Sequence, residues 1–377
     1  MMKSNKLSIP NSLLPPGFRD DVSDQAAIEH KYKNLIINLF QTNGYKLVKT
    51  PLIEYAKDKS FNNLKIKTKN NENELIIRDD ITLQISRLSS NRLSETTRPL
   101  KLCYYGEVIR NKGTMLRPER QFLQVGAECI GEKSYLADVE IIDLAYSAIN
   151  KVGIKNVAIE LSSRIFIDKI YKNIKSKNKL NKIKSLVRKK DLENVVRTVP
   201  RQYHKYLNNI FACTGNFIGK TKILNKLKID KSSTNEVNNL IKIMDLLTKK
   251  YPKAKFILDL TEVEEKNYHN GIRFTMFAEN VRGEIARGGR YNLINKNIEE
   301  NATGFTCFMD TILRASSIVE KNHKILIPFD TSENKKNYLI NKNYIIEIFF
   351  GNKRNIKEKA IEKKINYYLK NNKISKI

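Results

Sequence analysis

Cysteine is scarce in this sequence, and the few cysteines present are not spaced to bind a metal or to form a disulfide framework. Four occur in 377 residues, with no CxxC pair and no histidine at ligand spacing: Cys103, Cys129, Cys213 and Cys307. Neither a zinc site nor a set of disulfides is indicated. No cofactor is expected.

Long apolar runs are also lacking. None approaches the roughly 20 residues that a transmembrane helix requires. The opening segment MMKSNKLSIPNSLLPPGF has no apolar core of the kind found in a signal peptide. We therefore expect a cytoplasmic protein with no membrane association.

Acidic residues are outnumbered by basic ones, 40 against 69, which gives a net charge of +29. Such a charge ordinarily suggests a nucleic-acid partner. Here the excess is mostly lysine, spread along the chain and mixed with asparagine and isoleucine, as in KNIKSKNKLNKIKSLVRKK. This pattern favours a general compositional bias over a focused binding stripe, and nucleic-acid binding stays as the second interpretation.

The stretch Leu102–Gly131 reads as two strands joined by a polar loop, and the rest of the chain is organised around it. The second strand, QFLQVGAECI, alternates so that Gln124 and Glu128 share one face, with Gly126 between them. An amide, a carboxylate and a small residue predict a floor for a small cationic or amine-bearing ligand, with room left by Gly126. The alternative is a strand with one wet face.

The remaining pattern predicts an α+β protein with three segments. Residues 1–12 are expected to be loose, 13–318 to form the core with a helical insertion at about 165–250, and 319–377 to form a small α/β unit. A helix is predicted from Gln25 to Thr42, and the following strand, YKLVKTPLIEY, is interrupted by Pro51. Proline cannot donate to a strand ladder, so this segment is expected at a sheet edge or a partner interface.

Seven segments in this order resemble those of histidyl-tRNA synthetase, a class II aminoacyl-tRNA synthetase. The resemblance covers residues 13 to about 315, apart from the insertion, and implies an antiparallel sheet flanked by helices. The segments are LLPPGFRD, GYKLVKTPLIEY, IIRDDIT, GEVIRNK with RPERQFLQVGAE, NYHNGIRF, ARGGRYN and ATGFTCFMDTILRA.

The resemblance also implies a histidine pocket. The family's ammonium-binding residues match Asp80 and Thr82, the pocket strand matches Gln124 and Glu128, and one aromatic wall matches Tyr291. The other implied ligand-binding residues are Arg110 of motif 2, Tyr268, and His269, which stands where the family has a second tyrosine. GGRY, at Gly288 to Tyr291, has an alternative interpretation as a tight turn.

Departures from the synthetase pattern fall where the nucleotide would bind. Motif 3 of the family ends in a glycine-rich run with an arginine, and the corresponding residues here are Phe308, Met309, Asp310 and Thr311. Glu264 stands where the histidine-specific segment carries a catalytic arginine. Asn111-Lys112 replaces the acidic partner that follows Arg110. Amino acid activation needs cations against the triphosphate, so these changes predict a protein without catalytic residues; a loop misalignment is the alternative.

A retained amino acid pocket without a nucleotide clamp is similar to the regulatory subunit of ATP phosphoribosyltransferase, a non-catalytic relative of the synthetase in histidine biosynthesis. That resemblance implies a short-form catalytic subunit as partner, a hetero-octamer, self-association through motif 1, and L-histidine as effector, with tRNA binding not expected. An active histidine–tRNA ligase is the alternative, and a basic RNA-binding relic of a synthetase is a third interpretation.

Overall fold

The computed structural model describes residues 13–56, 63–67, 74–261, 269–295, 298–316 and 323–377, without the side chains of 269, 270, 295 and 298. The chain divides into two compact units, Met1–Ser317 and Ile318–Ile377. The segment 1–12, predicted to be loose, lies outside the described residues. Within the described residues, no helix has both the length and the apolar character needed to cross a membrane.

The first unit contains two sheets. Its strands, in chain order, are β1 (Lys46–Val48), β2 (Ile53–Tyr55), β3 (Lys65–Ile66), β4 (Leu75–Ile77), β5 (Leu100–Ile109), β6 (Gln121–Ile130), β7 (Val157–Ser163), β8 (Gly215–Asn216), β9 (Lys255–Leu258), β10 (His269–Ala278), β11 (Ala286–Asn295) and β12 (Ile298–Phe308). The larger sheet has nine strands in the order β1-β5-β6-β12-β11-β10-β7-β9-β8. It is antiparallel from β5 to β7, and parallel pairs join β1 to β5 and β7 to β9.

Helices cover this sheet and form the insertion. They are α1 (Asp24–Thr42), α2 (Thr82–Ser90), α3 (Tyr135–Lys151), α4 (Ile165–Tyr171), α5 (Lys177–Arg188), α6 (Leu192–Thr198), α7 (His204–Ala212), α8 (Thr221–Asn225), α9 (Lys231–Lys250) and α10 (Met309–Ala315), with a 3-10 turn at Arg201–Tyr203. The α+β prediction is confirmed. The predicted end of α1 is confirmed too, since Gly44 takes φ +86°, which glycine adopts at low cost after a helix.

The alternation predicted for β6 is confirmed, because its two faces pack into two different hydrophobic clusters. Leu123 and Val125 pack with Phe40 of α1 and Ile141 of α3 in the main core. Phe122 and Ile130 lie on the other face, in a smaller cluster with residues of β5 and β11. Gln124 and Glu128 share that second face because side chains along a strand alternate.

Three details of the predicted strands need correction. YKLVKTPLIEY is two strands, not one: β1 lies at an edge of the large sheet, whereas β2 pairs with β4 in a three-stranded sheet, and Pro51 lies between them. The helical insertion also contributes β8, which pairs with β9 at the opposite edge. Gly288 and Gly289 lie inside β11, opposite Phe305 and Gly304, so the tight-turn interpretation of GGRY is wrong.

The second unit is a small α/β fold. Its elements are β13 (His323–Pro328), α11 (Glu333–Asn341), β14 (Tyr344–Phe349), a 3-10 turn (Lys353–Asn355), α12 (Ile356–Glu362), β15 (Tyr367–Lys370) and β16 (Lys373–Lys376). The strand order is β14-β13-β15-β16, with β13 parallel to both of its neighbours. Sequence reasoning missed β16, which pairs antiparallel with β15.

Candidate functional site: a buried carboxyl network on strand β6

Glu128 lies near the end of β6 and is the centre of the candidate site. Its side chain is buried, with 1% of the residue exposed. Tyr291 Oη on β11 donates to Glu128 Oε2 at 2.8 Å, and Tyr104 Oη on β5 is 3.4 Å from Glu128 Oε1. The carboxyl group is therefore held by neutral hydroxyl groups, and no ion pair within the described part of the chain engages it.

Burial dominates the protonation of this group. Burial raises the pKa of Glu128, the nearby Asp80 carboxyl group also raises it, and hydrogen bonds from Tyr291, Thr82 and Tyr104 lower it. The net result is a pKa of about 8, compared with an ordinary value of 4.5. At neutral pH the site therefore holds a largely protonated acid.

Asp80 and Gln124 connect the start of α2 to the pocket strand. Asp80 Oδ1 accepts from the backbone N–H of Thr82 at 2.8 Å, and Asp80 Oδ2 accepts from Gln124 Nε2 at 3.2 Å. Gln124 Oε1 in turn accepts from the backbone N–H of Ile81 at 3.2 Å. These bonds fix the carboxyl group of Asp80 beside Gln124, on the face of the sheet that also carries Glu128.

Tyr104 was missed by sequence reasoning, although it joins the predicted residues together. Its hydroxyl group lies 3.1 Å from Thr82 Oγ1 and 2.8 Å from Thr306 Oγ1. Tyr104 stands opposite Gly126 in the β5–β6 ladder. A glycine inside a strand commonly marks a close approach by a neighbour, and that signal points to the large residue across from it.

The space above Gly126 is consequently not free for a ligand, as the sequence interpretation had it. A Cβ atom at Gly126 would lie 2.4 Å from Tyr104 Oη and 2.5 Å from the backbone oxygen of Phe305. Gly304 on β12 has a related reason, because a Cβ there would come within 1.6 Å of Glu128 Oε2. Both glycines make room for the network itself.

Arg110 lies apart from the Glu128 network. Its guanidinium group sits 4.9 Å from the ring centre of Phe122, and that of Arg117 sits 4.0 Å from the ring centre of Phe308. Burial lowers the pKa of Arg110, as do the neighbouring guanidinium groups of Arg117 and Arg287. This is a cluster of cations at the beginning of β6.

Arg117 is bound by two residues at the start of α10. Arg117 Nε donates to Asp310 Oδ2 at 3.0 Å, and Arg117 Nη2 donates to Thr311 Oγ1 at 3.2 Å. Both partners of the ion pair are buried, with side chains 5% and 2% exposed. The carboxylate of Asp310 therefore balances the positive charge of Arg117 within the protein.

The structure thus brings together five of the predicted residues: Asp80, Thr82, Gln124, Glu128 and Tyr291. Tyr268 and the substituted position Glu264 lie outside the described residues. His269 begins β10, opposite Tyr291, but its side chain is among those not described.

The fold and this site define a protein of the histidyl-tRNA synthetase class. The histidyl-tRNA synthetase family model matches residues 17–312. A structure described as an ATP phosphoribosyltransferase regulatory subunit/histidyl-tRNA synthetase, from Bacillus halodurans, superposes with a TM-score of 0.76 at 19% identity, over 95% of this chain and 97% of that one. The predicted class II synthetase-like fold is confirmed.

Sequence comparison resolves the family further. The ATP phosphoribosyltransferase regulatory subunit of Rhodospirillum centenum is 31% identical over 339 residues, covering 88% of this chain and 87% of the relative. A chain of the ATP phosphoribosyl transferase complex from Thermotoga maritima has the same fold, with a TM-score of 0.59 at 17% identity, over 77% of this chain and 98% of that one. The chain belongs to the family of ATP phosphoribosyltransferase regulatory subunits.

Proposed function

We propose that this chain is the non-catalytic regulatory subunit of a cytoplasmic ATP phosphoribosyltransferase, and that it binds histidine at the Asp80–Glu128 site. The observation that carries the regulatory role is the 31% identity to the R. centenum regulatory subunit over most of both chains. The observation that supports the ligand is the network of carboxyl, amide and hydroxyl groups on β6 and its neighbours.

Histidine matches the chemistry of this site at both ends. Its ammonium group suits Asp80, whose carboxylate is already oriented by Thr82 and Gln124. Its imidazole suits Glu128, since an imidazolium group favours the charged form of a carboxyl whose pKa burial has raised to about 8. Glu128 Oε1 is 3.4 Å from Tyr104 Oη, which is a weak hydrogen bond. An imidazole that binds Glu128 Oε1 therefore displaces only this weak contact.

The absence of amino acid activation is the second part of the proposal. The resemblance to the synthetase family assigns the segment 308–311, FMDT, to the end of motif 3, where that family carries a nucleotide-binding arginine. Within this segment, Asp310 pairs with Arg117 and Thr311 accepts a hydrogen bond from it. A buried carboxylate against this guanidinium group opposes triphosphate binding, because activation depends on cations aimed at the phosphates. Glu264, outside the described residues, is the other substituted position.

The proposed partner is a short-form catalytic subunit of ATP phosphoribosyltransferase. The relatives named ATP phosphoribosyltransferase regulatory subunits support a catalytic subunit as the partner. The short form, a hetero-octamer and self-association through the motif 1 region are part of the proposal. Histidine must then bind one assembly state better than another, because a ligand with equal affinity for both shifts nothing. Binding of tRNA is not part of this function.

Calorimetric titration of histidine into the isolated chain and into the complex tests the site. We expect saturable binding that weakens at least tenfold in the double variant Gln124→Ala/Glu128→Ala. Glu193→Gln is the matched control, since this exposed residue pairs only with its helical neighbour Arg197 among the described residues. Unchanged affinity in the double variant would remove the site from the mechanism.

The alternative function, histidine–tRNA ligation, is favoured by the family model that matches residues 17–312. Histidine-dependent exchange of pyrophosphate with ATP separates the two functions. We expect no exchange by the purified chain, together with a histidine-sensitive rise in phosphoribosyl transfer when the chain is added to the catalytic subunit. Robust exchange would establish the ligase instead.

A further inference from the structure

A small cavity lies at the beginning of β6, where the N-terminal segment, α1, β5 and α10 meet. Its volume is about 60 Å³, which holds roughly four water-sized groups. Most of the polar groups that line it are acidic. The polar residues of the lining are Arg19, Asp21, Glu29, Glu107, Gln121 and Asp310.

Among the described residues, ion pairs engage two of these carboxyl groups and leave the other two without one. Asp21 pairs with Arg19 at 2.8 Å, and Asp310 pairs with Arg117 at 3.0 Å. Within the described part of the chain, no ion pair engages Glu29 or Glu107. The cavity is therefore rich in negative charge in a chain whose net charge is +29.

Asp310 supplies an independent sign that the cavity takes a ligand. The residue is 3% exposed, and its Oδ1 atom has no hydrogen-bond partner among the residues that the structure describes, whereas Oδ2 is engaged by Arg117. A buried carboxylate oxygen without a donor is costly, and native proteins rarely leave one. The missing donor can come from a group that enters the cavity.

We propose that this cavity binds a single ammonium or guanidinium group, held between Glu29 and Glu107 and donating to Asp310 Oδ1. A guanidinium group has four heavy atoms, in keeping with the volume, and its N–H groups match several carboxylates at once. Among the described residues, no group of three or more acidic, histidine or cysteine side chains is arranged to hold a metal ion.

The pKa values of the carboxyl groups around the cavity favour binding of a cation. Burial raises the pKa of Glu29, the carboxyl groups of Glu107, Asp21 and Asp310 also raise it, and Arg19 lowers it. The net pKa is about 7. Burial also raises the pKa of Glu107, with Asp21 acting in the same direction and Arg78 and Gln121 opposing. A bound cation favours both carboxylates, so its binding near neutral pH releases protons.

The test titrates methylguanidinium chloride into the full chain at low ionic strength and pH 7, in two buffers of different ionisation enthalpy. We expect saturable binding with proton release, weakened at least tenfold by Glu29→Gln/Glu107→Gln and left unchanged by Glu193→Gln. Glutamine is neutral and nearly isosteric, and equal unfolding midpoints verify that the double variant is folded. Glu29→Gln alone, at a half-buried position, should weaken binding about threefold.

A second arm identifies the source of the cation. If a lysine or arginine of a second copy supplies it, methylguanidinium should weaken self-association of the native chain in sedimentation and leave the double variant unaffected. If a free amine supplies it, binding occurs with no change in self-association. Equal affinity for the double variant, or neither binding nor an effect on self-association, would overturn the proposal.

Discussion

Along the face of β6 that carries Phe122, Gln124 and Glu128, the two ends of the strand have opposite electrostatic environments. At its end, Glu128 is surrounded by the hydroxyl groups of Tyr291, Tyr104 and Thr82, all neutral. At its beginning, the rings of Phe122 and Phe308 lie beneath the guanidinium groups of Arg110 and Arg117. Fewer than ten residues of one strand separate a buried neutral acid from a cluster of cations.

The difference lies in the groups that surround the charged side chains at each end. Hydroxyl and amide partners hold a carboxyl without cancelling its ability to meet a cationic ligand. A carboxylate placed against a guanidinium group, as Asp310 is against Arg117, cancels the charge that a phosphate would use. We therefore expect the two ends to respond differently to mutation, pH and ligand.

The largest expected effect is at the beginning of the strand. Arg117→Ala leaves Asp310 as a buried charge with its main partner removed, and such a loss costs about 3–5 kcal/mol of unfolding free energy. Arg197→Ala breaks the exposed pair with Glu193 and should cost less than about 1 kcal/mol. Denaturant unfolding of both variants measures the contrast.

Restoring neutrality should recover much of that loss. Arg117→Ala combined with Asp310→Asn removes both charges, and we expect the double variant to be more stable than Arg117→Ala alone. If Arg117→Ala costs no more than Arg197→Ala, the ion pair does not hold this end of the strand, and the contrast between the two ends disappears.

Strand β6 itself was predictable from the sequence, because two-residue alternation assigns Gln124 and Glu128 to one face without knowledge of the neighbours. The surroundings were not. Tyr104 comes from β5, and its position over Gly126 depends on the register of the β5–β6 ladder. The ion pair of Arg117 with Asp310 joins residues 193 positions apart, which no local pattern reports.

Short elements were the least predictable part of the fold. β8, with two residues, forms only because β9 presents an open edge, and β1 and β2 separate into different sheets on either side of Pro51. In each case tertiary pairing decides what the local residues leave open. Longer periodic segments, such as α1, follow their own pattern.

The second prediction concerns pH at the other end of the strand. The pKa of Glu128 is about 8 when folded and near 4.5 when unfolded, so between these values the folded chain holds a proton that the unfolded chain has released. The unfolding free energy therefore falls as pH rises, by about 1.4 kcal/mol per pH unit from this group. Glu128→Gln should remove that contribution.

Thermal or denaturant unfolding at pH 6 and pH 7 gives the change of unfolding free energy per pH unit, which is compared between the native chain and Glu128→Gln. Glu193→Gln, at an exposed position, should keep the native slope. Equal slopes for the native chain and Glu128→Gln would mean that Glu128 is ionised in the folded protein, and the environment at this end would then not be neutral.

The smallest expected effect is from the hydroxyl group that joins the network. Tyr104→Phe removes the partner shared by Thr82, Thr306 and Glu128, and should cost about 1 kcal/mol of unfolding free energy because buried polar groups lose a hydrogen bond. Tyr105→Phe, its exposed neighbour, should be nearly neutral. Histidine affinity is the sharper measurement: since Tyr104 competes for Glu128 Oε1, Tyr104→Phe should keep or increase it despite the lost stability. A loss of affinity as large as that expected for Gln124→Ala/Glu128→Ala would make Tyr104 part of the ligand's binding surface and not its competitor.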